Sequence, residues 1–145
     1  MNDTLTVPSP AELAKDVAEL NELEKFIATL PGATRISPPL QHRFTPGLYS
    51  RTIFMPKGMV CTSKIHKTEH QFVVSKGVLR VWSKETGWVK IRAPYIGVTK
   101  PGARRALHIL EDTIWTTFHP TTLTDLAEIE ASLVEPHEIP CPCSQ

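Results

Sequence analysis

Two histidines and a lysine lie close together in the stretch Gly58-Met-Val-Cys-Thr-Ser-Lys64-Ile-His66-Lys-Thr-Glu-His70, which runs on to Lys76-Gly77. Imidazole is the commonest nitrogen ligand of Zn, Fe, Ni and Cu, so His66 and His70, bracketing a tight Lys-Thr-Glu corner, are candidates to chelate one divalent ion. Two ligands hold a metal poorly, and a third would come from His108, His119 or a carboxylate such as Glu69. Side chains alternate on a strand, so Thr62, Lys64 and His66 share one face and Cys61, Ser63 and Ile65 the other. Further on, Trp115, Thr117 and His119 alternate with Ile114, Thr116 and Phe118. The second set is plain core material, which aims Trp115 and His119 at a cavity. The same residues also suit an anion: Lys64 and Arg105, both inward, would offer ammonium and guanidinium donors to a carboxylate, a phosphate or a nucleotide sugar. The two uses compete. A lysine cation beside a divalent ion in a low-dielectric interior costs several kcal/mol unless a carboxylate or bound anion intervenes.

The elements that must position these groups follow from periodicity. Ser9 as N-cap, Pro10 in the first turn and Glu12 three residues after the cap start a helix predicted from Pro10 to about Leu30. Its apolar stripe is Leu13, Val17, Leu20, Leu23, Ile27 and Leu30, which needs a barrel wall or a second subunit to cover it. Pro31-Gly32 stops the helix, and Pro38, Pro39 and Pro46 keep the next stretch extended or looped. From Leu48 to Thr117 short runs of Val, Ile, Thr and aromatic residues are punctuated by Gly and Pro at about eight- to twelve-residue intervals, an all-β rhythm. The predicted strands are Leu48–Met55, Met59–His66, His70–Ser75, Val78–Ser83, Trp88–Ile91, Tyr95–Thr99, Arg104–Leu110 and Thr113–His119. Lys84-Glu85-Thr86-Gly87 makes the clearest hairpin loop, with Trp82 and Trp88 as cross-strand partners. Short strands in this number imply a closed barrel or two-sheet jelly roll, whose interior is able to hold a ligand. A second helix starts at Thr122 or Thr124 and carries Leu126, Ile129 and Leu133 on one side.

Composition narrows the rest. The chain has 145 residues, 41% hydrophobic and 21% charged, which suits one domain. We divide it into a helix and extended arm (1–47), a barrel (48–120), and a short helix with a loose tail (121–145). A formal charge of +1 gives no long-range field toward nucleic acid or an anionic membrane. No apolar run approaches the roughly 20 residues that cross a bilayer, and the first residues lack a secretory signal, so a cytoplasmic setting is expected. Cys61, Cys141 and Cys143 are an odd set, which speaks against a disulfide framework, and the single-residue spacing of the last two speaks against a zinc knuckle. No nucleophile elbow, P-loop or dinucleotide fingerprint occurs. His42 and His137 read as bystanders, Arg104-Arg105 as a solvated bend, and Glu111-Asp112 as turn chemistry.

The Gly58–Gly77 stretch resembles the first motif of the cupin superfamily: glycine, five residues, His-x-His, three or four residues, glutamate, six residues, glycine. The spacing fits without a gap, with Lys64 at the first His position, His66 at the second and His70 in place of the glutamate. The second cupin motif falls in Gly97–Asp112 in two competing registers. Counting from Gly102 puts Arg105 at the ligand position, and counting back from Asp112 puts His108 there. The chain also resembles small cupin-like proteins of tailed bacteriophages. The resemblance implies a mainly β jelly-roll barrel flanked by the two helices, and a homo-oligomer, a dimer or larger ring. It also implies a small-molecule site in which His66, His70 and His108 hold a divalent metal (Fe, Mn, Ni or Zn) while Lys64, Arg105, Trp115 and His119 hold an anionic ligand. Two other readings stay open: a non-enzymatic phage accessory module, either a virion component or an inhibitor or binder of a host molecule, and a metal-free sugar-nucleotide epimerase-like enzyme with His66 or His70 as general base beside Lys64.

Overall fold

A computed structural model describes residues 21, 22, 25 and 38–135. In chain order come β1 (Leu40–Thr45), β2 (Leu48–Met55), β3 (Val60–Thr62), β4 (His70–Lys76), β5 (Val78–Ser83), β6 (Gly87–Arg92), β7 (Tyr95–Thr99), β8 (Ala106–Ile109), β9 (Thr113–Pro120) and the helix α1 (Leu126–Leu133). The strands form two antiparallel sheets, ordered β1-β2-β9-β4-β7 and β3-β8-β5-β6. The mainly β, two-sheet architecture agrees with the alternation read in the sequence. The predicted N-terminal helix lies outside the described residues, apart from Asn21, Glu22 and Lys25, which are helical. Among the described residues no helix is long and apolar enough to cross a membrane.

The core lies between the sheets. Ile53, Met55, Phe72, Val74 and Trp115 come from one sheet and Cys61, Leu79, Val81, Ile91, Leu107 and Ile109 from the other. Each strand contributes alternate residues because its pleat turns every second side chain inward. Removing this apolar surface from water is the main stabilising term for the barrel. Two glycines permit close approaches. At Gly77, with φ 101°, a Cβ would sit 2.4 Å from Thr113 Oγ1 and 2.5 Å from the Asp112 carbonyl oxygen. At Gly97 a Cβ would fall 2.5 Å from Phe72 Cζ, so the missing side chain is the room in which Phe72 lies.

Several expectations are corrected. β1, absent from the sequence prediction, pairs with β2 alone. Its flanking prolines suppress the strand signal, yet an edge strand tolerates them at its ends. The strand expected over Met59–His66 is only Val60–Thr62. Beyond it Ser63 Oγ accepts from the Arg105 N–H at 2.9 Å, and His66 bonds Ala103 and Gly102 through its backbone. The chain therefore leaves the ladder, and Lys64 and His66 sit in an irregular segment. Arg104 is no solvated bend: it is buried, donating to the Ser63 carbonyl at 3.1 Å and to Asn21 Oδ1 at 2.9 Å. Cys61 is disulfide-bonded, contrary to the reading of the odd cysteine set, and the other half lies outside the described residues. The helix start is Asp125, not Thr122 or Thr124, with its carboxylate accepting from the Ala127 and Glu128 N–H groups.

Candidate functional site

Cross-strand register lays the inward residues of the larger sheet in rows. Tyr49 of β2 faces His119 of β9, and His70 of β4 faces Thr99 of β7. The next row is His42, Arg51, Thr117 and Phe72, and the one below it is Leu40, Ile53, Trp115 and Val74. The alternation that builds the core thus makes a polar belt at one end of the barrel and an apolar floor beneath it. Between the sheets lies a cavity of about 350 Å³. Ile53, Met55, Leu107 and Trp115 supply apolar wall, and Leu126, Ile129 and Leu133 of α1 supply more. Those three recur at helical spacing, and Ile129 is fully covered. The C-terminal end of α1 is tied to the segment carrying Lys64 and His66. The Lys67 N–H donates to the Leu133 carbonyl at 2.7 Å, the Glu135 N–H donates to the Ile65 carbonyl at 2.9 Å, and His66 bridges Val134.

Three imidazoles cluster in the belt. The rings of His66 and His70 are 4.9 Å apart and those of His70 and His119 4.4 Å apart, centroid to centroid. Tyr49 stacks on His119 at 5.8 Å, and its hydroxyl lies 2.7 Å from His42 Nδ1. His70 Nδ1 hydrogen-bonds the Thr68 carbonyl at 3.2 Å, and His119 Nε2 hydrogen-bonds Thr117 Oγ1 at 2.9 Å. His119 Nδ1 is buried with no hydrogen-bond partner among the described residues.

Burial holds these imidazoles neutral. It is the main cause that pushes His66 down to about 3, with His70, Arg105, His119 and Arg51 adding to it. His119 is likewise pushed down to about 3 by burial, then by His70 and Arg51. His70 is lowered by burial, which the Thr68 carbonyl opposes and Arg105 reinforces. His42 is lowered by burial and by Arg51. Burial raises the Tyr49 phenol.

Arg51, Lys64 and Arg105 bring positive charge to the cavity wall, and Glu130 of α1 brings a carboxylate. Lys64 forms an ion pair with that carboxylate. Arg105 is half-buried; its Nη1 donates to Thr99 Oγ1 at 2.9 Å, and its guanidinium carbon stands 5.3 Å from the centroid of the Phe72 ring. Phe72 in turn stacks on Trp115 at 4.3 Å. Burial lowers the Arg105 guanidinium pKa, which Tyr95 and Glu85 oppose through space, and no carboxylate among the described residues forms an ion pair with it.

The cavity wall therefore includes Lys64, His66, His70, Arg105, Trp115 and His119. It does not include His108. Leu107 takes the inward position on β8, which turns His108 to the opposite face, across from Val60 and Arg80. Of the two competing registers, the one through Gly102 reaches the cavity. Sequence reasoning missed Tyr49, Arg51, Thr99 and Glu130, and it set His42 aside. The period-two run Tyr49, Arg51, Ile53, Met55 was the available signal for β2. Glu130 had none, because its role depends on where α1 docks.

A divalent ion fits this arrangement poorly. Among the described residues no three or more His, Cys, Asp or Glu side chains form a group able to hold a metal. One ring nitrogen each of His70 and His119 is already engaged, and the two guanidinium groups that disfavour imidazolium would disfavour a dication for the same reason. The expected His66, His70 and His108 ligand set is not assembled.

No protein-family model matches the chain, and no curated protein matches it. Similar solved structures include a cupin-2 domain protein from Shewanella frigidimarina, at 16% identity over 75% of this chain and 99% of that one, with a TM-score of 0.46. A cupin domain from Bordetella pertussis matches at 13% identity over 63% of this chain and 100% of that one, TM-score 0.48. An acetylacetone dioxygenase from Acinetobacter johnsonii matches at 16% identity over 63% and 65%, TM-score 0.49.

Proposed function

We propose that the protein is a small-molecule-binding barrel of cupin type that seats an anionic ligand in the cavity, with the anion on Arg105. One observation carries this reading: a half-buried guanidinium faces the cavity with a hydroxyl and an aromatic ring as its partners and no carboxylate among the described residues. A partly desolvated cation with no carboxylate in contact is costly, and a ligand anion lowers that cost. Neutral His66 and His70 supply hydrogen-bonding nitrogen beside it, and Trp115 supplies an apolar surface. Thr99 orients the guanidinium edge, and Phe72, held against Trp115, supports its face.

The test is thermal unfolding with millimolar carboxylates, phosphate and sugar phosphates. A ligand that binds only the folded state raises the midpoint by mass action. At least one anion should stabilise the wild type, and Arg105→Gln should lose that response while keeping the fold, with affinity down about tenfold or more for the lost charged hydrogen bond. Equal stabilisation of Arg105→Gln, or none of the wild type by any of these anions, refutes the reading.

A second reading is supported by the cavity-facing imidazole of His70, whose lowering by burial is opposed by its hydrogen bond to the Thr68 carbonyl. A metal-free acid–base enzyme, acting as the epimerase-like expectation has it, would use His70 to take a proton from a carbon next to the bound anion. Exchange of that proton with deuterium oxide, lost in His70→Ala, distinguishes turnover from binding alone.

A further inference from the structure

The ion pair between Lys64 and Glu130 has no part in the binding reading above, yet it lies on the wall of the same cavity. Lys64 comes from the irregular segment after β3, and Glu130 from α1, 66 positions on. The Lys64 side chain is 19% exposed and that of Glu130 49%. Arg51 is also engaged by other groups. Of the three cations on the wall, Lys64 is therefore paired with a carboxylate of the protein itself, Arg51 is engaged by other groups, and Arg105 has no carboxylate among the described residues in ion-pair contact.

We infer that Glu130 is a specificity-determining residue: by occupying Lys64 it leaves one open anion position, at Arg105, and so selects monocarboxylates with an apolar body over dicarboxylates. The inference rests on the anion-binding reading and deepens it. A second carboxylate on the ligand would meet the Glu130 carboxylate instead of a free ammonium, and like charges brought close in a partly desolvated wall repel. The apolar body has its own surface in Ile53, Leu107, Trp115, Ile129 and Leu133, and the volume of about 350 Å³ suits a small molecule. Replacing Glu130 by a neutral isostere frees Lys64 and converts a one-anion site into a two-anion site.

The experiment is an NMR titration of the full-length isotope-labelled protein with hexanoate and adipate, which have the same chain length and differ by one carboxylate. The wild type should bind hexanoate about tenfold more tightly than adipate. Glu130→Gln should reverse that order, and Glu130→Gln with Lys64→Met should restore it, because the freed cation is then gone. Glu130 is half-exposed and outside the core, and the amide spectrum of each variant reports directly that it folds. If hexanoate binds all three proteins with one unchanged preference, the inference about Glu130 is overturned while the anion site at Arg105 stands. If neither acid shifts any resonance that Arg105→Gln also perturbs, the anion site falls and the inference with it.

Discussion

Lowering the pH should destabilise this protein before its carboxylates are titrated, and the buried imidazoles say by how much. His66 and His119 are each pushed from about 6.5 to about 3 in the folded state. In the unfolded chain they regain the ordinary value, so the unfolded state binds more protons and stability falls as pH drops below 6.5, continuing down to about 3. At pH 7 both states are mostly deprotonated and little is lost. At pH 5 the unfolded chain has taken up nearly a full proton at each site, which costs about 2 kcal/mol per histidine, or about 4 kcal/mol for the pair. His70 moves in the same direction and adds to the loss. Against a typical stability of about 5–15 kcal/mol this is a large fraction, and it corresponds to a fall in Tm of about 10–15 °C between pH 7 and pH 5. Thermal and urea unfolding followed by circular dichroism at half-unit pH steps measures it, with His66→Gln plus His119→Gln as the comparison. The double variant should show a clearly flatter profile. A wild-type stability that stays level from pH 7 to pH 5, or a double variant with the same slope, would refute the claim that these rings are held neutral by burial. A bound anion should blunt the loss, since it favours the protonated rings, and by linkage its affinity should rise as the pH falls.

Two further outcomes follow from the packing and from the donor set. Gly77→Ala should cost about 1–3 kcal/mol in urea unfolding, because its Cβ would meet Thr113 and the Asp112 carbonyl at a positive φ. Gly47→Ala, with φ 76° but open space around it, should cost less. Exhaustive chelation should leave Tm and anion binding unchanged, and protein purified without chelator should carry no stoichiometric metal, since the imidazoles are not arranged as a ligand set. A Tm drop on chelation that Zn, Fe, Mn or Ni restores would reverse that conclusion.

The strands were legible wherever period-two alternation ran uninterrupted. β2, β5 and β7 match the residues read from sequence, and Trp82 does face Trp88. The alternation of Trp115, Thr117 and His119 gives the cavity face of β9, but the reading of Ile114, Thr116 and Phe118 as core fails: Trp115 is the core residue of that strand, because cavity and core share the inner face. The reading broke down where side chains replace the ladder. Ser63 captures the Arg105 amide, so β3 stops at Thr62 and strict alternation ends there: Cys61 enters the core, and Ser63, Lys64 and His66 all line the cavity. His108 and Arg105 could not be ranked from spacing alone, because the choice turns on whether Leu107 or its neighbour points inward. That is a single-residue register, and a slip of one exchanges every face. Glu130 was out of reach for a different reason: nothing local in a helix sequence says which lysine its carboxylate will meet.

The charges on the wall also explain why the imidazole cluster persists beside two arginines. Three histidines packed ring to ring would repel if protonated, and each guanidinium nearby raises that cost. Burial settles the matter by keeping the rings neutral, and neutral rings do not oppose the arginines. The cluster and the cations are therefore compatible only while protons stay out. Glu130 removes the charge of Lys64, and Thr99 with the Phe72 face accommodates Arg105 without neutralising it. A protein selected for stability alone would place an apolar residue at position 105, since a well-packed hydrophobe often equals or betters a buried ion. On the anion-binding reading proposed above, a guanidinium at the edge of a hollow, with no carboxylate among the described residues in ion-pair contact with it, has its partner in an anion from solution.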